Sequence, residues 1–206
     1  MSIEEFNAGA IGPEPAGATP IDDENLAGLI PTFVATRADL NQVEFENIAH
    51  ALPWATRRAR AGRPSTLLEA SFLFALHKRM FGDVWRWAGT QRRRETNLGV
   101  DPGLIGERLA IFFADAQYWH DNDVFRPDER AVQIHYRLVC IHPFPNGNGR
   151  CTRLMADLYR VSIQLPPFSW GSARLDSPGA ARRAYIAALL AAPTDDCASL
   201  VDFAKS

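Results

Sequence analysis

The 206-residue chain is 47% hydrophobic and carries 22 basic against 24 acidic side chains, a net charge of −2. That balance argues against general nucleic-acid affinity, and the apolar content suffices for the core of one domain. Three cysteines, Cys140, Cys151 and Cys197, show no CxxC or pairing pattern, which speaks against a disulfide framework or zinc site and for a reducing cytoplasm. No stretch has the length and apolarity of a membrane helix, and the first residues lack a signal-peptide pattern, so a cytoplasmic, soluble protein without a membrane partner is expected.

Residues 1–24 are rich in Gly, Pro, Ala and acids and read as a loosely ordered arm ahead of a single domain over 25–206. Thr36 is a candidate cap for a first helix, about 36–52, whose Leu40, Val43, Ile48, Ala51 and Leu52 recur at helical spacing before Pro53 ends it. Thr66 with Glu69 three residues on spells a capping box for a second helix running through Phe72, Leu76 and Met80 to Gly82. Trp85 and Trp87 read as core anchors. The polar stretch 88–100 breaks the helical pattern and reads as a short hairpin. Arginine clusters at Arg57, Arg58, Arg60 and Arg63, and at Arg92, Arg93 and Arg94, read as solvated surface. A third helix covers Ile105 to Trp119. The fourth begins at Pro127 with Asp128 and Glu129 in its first turn and continues through Ile134 and Leu138. After Pro166 and Pro167 come a helix from about Ala180 to Ala191 and a short one around Leu200. The fold class is mainly helical, all-α apart from the hairpin.

The chemistry concentrates in the twelve residues His142-Pro143-Phe144-Pro145-Asn146-Gly147-Asn148-Gly149-Arg150-Cys151-Thr152-Arg153. Two prolines forbid helix, two glycines permit unusual backbone angles, and apolar periodicity resumes from Leu154, so a helix opens at about Arg150. A helix N-terminus carries roughly half a positive charge and prefers acids, yet this first turn holds Arg150 and Arg153. Three residues apart on one face, both can converge on a single anion, joined by the loop's N–H groups. His142 stands beside them with an ordinary pKa near 6.5, available as a general base. His50, His77, His120 and His135 read as structural.

This run resembles the signature of the Fic family, His-x-Phe-x-(Asp/Glu)-Gly-Asn-Gly-Arg-x-x-Arg, with Asn146 in place of the acid, as in the related Doc toxins. The resemblance extends from about Thr36 to Phe203. Met80 through Gly89 and His142 through Arg153 place it nearest a bacterial subgroup called mobile mystery protein B. It implies a Fic fold with a β-hairpin flap, about 88–100, lying over the active site and pairing with an extended segment of a target protein. It implies transfer of AMP from ATP to a Ser, Thr or Tyr hydroxyl of that target, with His142 as base and Phe144 as the loop's core anchor. The backbone of Gly147, Asn148 and Gly149 with the Asn148 side chain would form the anion hole, Arg150 would hold the inner phosphates and Arg153 the γ-phosphate. Mg²⁺ is implied as cofactor, held weakly because Asn146 offers an amide oxygen where a carboxylate usually stands. Tyr185 and Ala188 are candidate walls for the base. The subgroup also implies a small helix-turn-helix companion protein.

Fic enzymes are often restrained by a helix with the motif (Ser/Thr)-x-x-x-Glu-(Gly/Asn), whose glutamate pairs with the second signature arginine. Gln42 through Asn47 match it at Glu46 and Asn47, with Gln42 in the Ser/Thr position. Asn47 falls inside the apolar arc of Leu40, Val43 and Ile48, with Glu46 near its edge. Two other readings stay open at this stage: a Doc-like phosphotransferase, and a nucleotide-binding regulator that lacks turnover because Asn146 replaces the metal-binding acid.

Overall fold

The computed structural model describes residues 23–171, 180–191 and 197–206; the N-terminal arm lies outside them almost entirely. Its helices in chain order are α1 (Asp23–Leu26), α2 (Arg37–Ala61), α3 (Ala70–Phe81), α4 (Ile105–Asp121), α5 (Pro127–Ile141), α6 (Asn148–Ser162), α7 (Ala180–Ala191) and α8 (Ala198–Lys205). Short 3-10 turns at Pro64–Leu67 and Pro102–Leu104 lead into α3 and α4.

Helices α5 and α6 form the central pair, with α2 and α3 packed to one side, α4 against α5, and α8 closing against α5 from the other end. Periodic apolar residues explain the layering. Leu109, Phe112, Phe113 and Ala116 of α4 face Ala131, Ile134 and Leu138 of α5 in one core that also buries Met155, Ala156 and Tyr159 of α6. The start of α5 is capped by the Glu129 carboxylate, which accepts the Arg126 N–H at 3.0 Å.

Three features depart from the sequence reading. Helix α2 does not stop at Pro53 but continues to Ala61. Its buried stripe of Ala51, Ala55 and Ala59 holds it to the core, while Pro53 and Ala49, whose carbonyl loses its donor, lie on the exposed face where water can replace the bond. The Thr66–Glu69 capping box does not form. The Thr66 hydroxyl donates back to Arg63 O at 2.8 Å within the 3-10 turn, Glu69 itself is the N-cap of α3, and its carboxylate accepts from Ser71 Oγ.

The third departure is the flap: among the described residues there is no strand, only an isolated antiparallel bridge between Leu29 and Trp85. Residues 90–100 are a loop pinned by Arg92, which is 3% exposed rather than solvated. Its Nε donates to His142 O at 2.6 Å, Nη1 to Arg94 O at 2.7 Å and Nη2 to Val100 O. One guanidinium thereby satisfies the carbonyls that cross-strand N–H groups would otherwise take, and no alternating apolar face exists to stabilise a ladder. The main chain adds Arg92 N–H to Pro143 O and Val100 N–H to Ile141 O.

Replacing Arg92 with Ala should therefore cost about 3 kcal/mol, from three charge-assisted bonds lost and the buried His142 carbonyl left bare. Urea unfolding measures the loss, and limited proteolysis should show new cleavage at 92–100. A loss under about 1 kcal/mol would mean that the loop is held by its main chain alone.

Candidate active site

The site is built where α5 ends and α6 begins. At the C-cap of α5, His142 adopts a left-handed backbone (φ 54°, ψ 60°), uncommon for a residue other than Gly, while its N–H closes the helix on Leu138 O at 3.0 Å. The same twist turns the chain into the loop and tucks the imidazole in, 6% exposed. Its Nδ1 lies 3.2 Å from Val139 O. A carbonyl only accepts, so Nδ1 carries the proton and the lone pair sits on Nε2. Desolvation, reinforced by the Arg92 charge, lowers the pKa to about 4.

Phe144 anchors the loop from below, fully buried, stacked on the His77 ring (centroids 3.7 Å apart) and edge-on to Phe74. His77 is a two-ended clamp: Gly89 N–H donates to its Nδ1 at 2.9 Å, so its Nε2–H donates to Asn146 O at 3.0 Å. Burial forces it neutral, lowering its pKa to about 3. Gly147 takes φ 77°, and a Cβ there would meet the Phe81 ring at 2.7 Å, so both angle and space require glycine.

Gly147 is the N-cap of α6 and has no capping side chain. The first intrahelical bond is Cys151 N–H to Gly147 O, which leaves the amides of Asn148, Gly149 and Arg150 at the opening of the helix. Together with the helix dipole they make that opening electropositive. The Asn148 side chain is not part of it. Its Oδ1 accepts Phe144 N–H at 2.9 Å and its Nδ2 donates to Phe144 O at 2.8 Å, so the amide shapes the loop instead of facing the opening. Asn146 Oδ1 accepts the adjacent Gly147 N–H at 2.6 Å.

Arg150 and Arg153 flank this opening, engaged by different neighbours. The Arg150 guanidinium lies over the Phe81 ring at 4.9 Å, and its Nη1 meets Glu44 Oε2 at 2.7 Å. Arg153 lies over the Tyr185 ring at 5.0 Å. The acid that reaches a signature arginine is thus Glu44, not Glu46. Glu46 is exposed and accepts from Gln42 at 2.7 Å within its own helix. Glu44 is buried, its other oxygen accepting Trp85 Nε1–H at 2.7 Å. Asn47 does not face the arginines either; it fastens α2 to the end of α3 through Asp83 Oδ2 (2.9 Å), Asp83 N–H (3.0 Å) and Arg79 O.

Two signals could have marked Glu44. It falls four residues after Leu40 and three before Asn47, inside the buried arc, whereas Glu46 points away. An acid there needs a cation, and a tryptophan read as plain core carries an indole N–H that must find an acceptor.

A magnesium ion here would be held chiefly by the phosphates of a bound nucleotide, with Asn146 as the protein oxygen that the resemblance assigns to it. Among the described residues no group of three His, Cys, Asp or Glu side chains could hold a metal, and Asn146 turns its oxygen back onto the loop. No helix of the described residues is long and apolar enough to cross a membrane.

A glycine-opened helix N-terminus between two arginines, beside a buried neutral imidazole, defines a helical domain suited to an anionic, phosphate-bearing ligand. Residues 67–159 match the Fic/DOC family, which identifies that stretch as a Fic/DOC domain. Two curated relatives are a protein adenylyltransferase Fic of Drosophila virilis, 35% identical over 101 residues, and a protein adenylyltransferase fic-1 of Caenorhabditis elegans, 32% identical over 103. Each alignment covers 46% of this chain and 20% of the relative, so the chain spans about a fifth of those proteins. A Fic domain containing signaling protein from Bacteroides thetaiotaomicron superposes with a TM-score of 0.61 at 20% identity, over 78% of this chain and 63% of that one. BepC of Bartonella tribocorum, solved with bound AMPPNP, gives 0.61 at 15% identity, over 84% and 87%.

Proposed function

We propose that the chain is a protein adenylyltransferase, moving AMP from ATP to a hydroxyl of a target protein. The observation that carries it is the tautomer of His142: Nδ1–H fixed on Val139 and a lone pair on Nε2, beside the open amides of α6. The Fic/DOC match over residues 67–159 and the names of the curated relatives support the same chemistry.

In this reading the triphosphate lies on the amides of Asn148, Gly149 and Arg150, with Arg150 on the inner phosphates and Arg153 on the outer one. The target hydroxyl gives its proton to His142 Nε2 as its oxygen bonds to the α-phosphorus, and the α–β bridging oxygen leaves with pyrophosphate. The imidazolium formed is poorly solvated and next to Arg92, so it releases its proton readily. No step is assigned to a metal. The Arg92-pinned loop is the surface on which a target segment would present its hydroxyl, and the subgroup resemblance adds a small helix-turn-helix companion as a partner. ATP labelled at either the α- or the γ-phosphate tests the reaction. Label from the α-position on protein supports adenylylation, label from the γ-position replaces it with phosphorylation, and saturable binding without either supports a regulator without turnover.

We also propose that α2 restrains the site through Glu44. Its carboxylate occupies Arg150 at 2.7 Å, where a phosphate oxygen would otherwise bind, and Trp85 holds the carboxylate in place. Glu44→Gln keeps an acceptor for the Trp85 indole and removes the charge. ATP affinity by calorimetry should rise about tenfold, a gain of the size of one partly buried ion pair. Glu46→Gln should change nothing. Equal affinity of parent and Glu44→Gln would remove the restraint.

A further inference from the structure

His135 sits one helical stretch before the catalytic motif, fully buried, where the mechanism above makes no use of it. It is the centre of a directed hydrogen-bond chain. The Thr152 hydroxyl lies 2.9 Å from Asn148 O, an acceptor only, so the hydroxyl proton is committed there. His135 Nδ1, 2.9 Å from Thr152 Oγ1, must then be the donor of that pair. In the neutral ring Nε2 keeps the lone pair and accepts the Tyr185 O–H at 3.1 Å. Burial and the nearby Arg153 charge both disfavour the cation, which would reverse the last bond.

The chain therefore runs from Tyr185 on α7 through His135 on α5 and Thr152 on α6 to the carbonyl of Asn148, at the mouth of the anion loop. Trp170 packs edge-on against the imidazole at 5.0 Å, which keeps the ring from rotating. What the chain holds is the Tyr185 ring. One face of it carries the Arg153 guanidinium at 5.0 Å, and its hydroxyl lies 3.7 Å from where a Cβ on Gly149 would stand. Arg153 is a long side chain with considerable rotamer freedom, and stacking on a fixed ring removes much of that freedom before any ligand arrives.

We propose that His135 is a positioning residue: through Tyr185 it sets Arg153 for the terminal phosphates of the nucleotide. This rests on the proposed assignment of Arg153 to the outer phosphate. Because His135 acts on Arg153 and not on the amides of α6, its loss should weaken ATP while sparing a ligand that has no outer phosphates.

The test is direct binding by calorimetry, with ATP and AMP as probes of the full chain. Tyr185→Phe is the mild variant, keeping the ring and deleting only the hydroxyl. ATP affinity should fall about tenfold and AMP affinity stay within twofold, an effect on the scale of one displaced guanidinium contact. His135→Leu should match it, and His135→Gln, which can still donate to Thr152 and accept from Tyr185, should restore most of the loss. Equal weakening of ATP and AMP, or no weakening by Tyr185→Phe, overturns the proposal. Arg153→Ala separates the two levels. If that variant loses ATP affinity while Tyr185→Phe does not, only the role of His135 fails; if it too binds ATP as the parent does, the nucleotide assignment itself is wrong and the positioning role falls with it.

Discussion

Replacing His142 with Ala should lower transfer from ATP to protein by about 10²–10⁴-fold while ATP still binds, since a positioned base contributes on that scale and the phosphate contacts proposed above lie on α6. The backbone complicates the choice of variant. At φ 54° alanine pays for a left-handed conformation that His142 already adopts, and the α5 cap could loosen. His142→Asn is the better control, because Asn tolerates that region, and it should be as inactive as the alanine variant with an unchanged melting temperature. Transfer at the parental rate by either variant would eliminate His142 as the base. The pH profile gives a second readout. With the pKa lowered to about 4, Nε2 keeps its lone pair well below neutrality. The rate should hold from pH 7.5 to 5.5, where an imidazole of ordinary pKa would be about 90% protonated and the rate correspondingly reduced.

The sequence makes the helices legible because each core-facing stripe repeats at helical spacing, as Leu109, Phe112, Phe113 and Ala116 do, and because Pro127 and the paired prolines after Leu165 punctuate them. What it hides are side chains that act across the fold. Arg92 is one of three consecutive arginines, and nothing local says that it, rather than Arg93 or Arg94, folds inward to hold three carbonyls. That single inward turn replaces a hairpin with a pinned loop. Glu44 and Glu46 are likewise two residues apart, and a motif match favoured the second while helix geometry places the first against Arg150. The glycine loop suffers no such ambiguity. Gly147, beside Phe81, leaves no choice of residue at φ 77°, and that constraint is visible in sequence and coordinates alike.

Acid should unfold this protein steeply, and the cause is the set of histidines that the core keeps neutral. His77, His135 and His142 all have pKa values depressed by burial, His77 to about 3 and His142 to about 4, against an unfolded value near 6.5. A depressed pKa means that the unfolded chain binds the proton first, so the stability these rings contribute is complete above pH 6.5 and is lost as pH falls toward the folded values. Each ring contributes a slope of about 1.4 kcal/mol per pH unit, so the three together approach about 4 kcal/mol per unit below pH 6. Asp157 opposes them. Burial raises it to about 6, so its folded form binds a proton ahead of the unfolded chain and offsets about one ring's share between pH 6 and 4. The balance still favours loss, because three imidazoles outweigh one carboxyl. Urea midpoints measured at pH 7.5, 6.5, 5.5 and 5.0 should stay level over the first interval and then drop sharply. His77→Gln, which retains a donor for Asn146 and an acceptor for Gly89, should shed one ring's share of the slope. A stability that stays constant from pH 6.5 to 5.0 would mean that the rings are charged in the folded state, and with that the neutral tautomers assigned to His77, His135 and His142 would fall together.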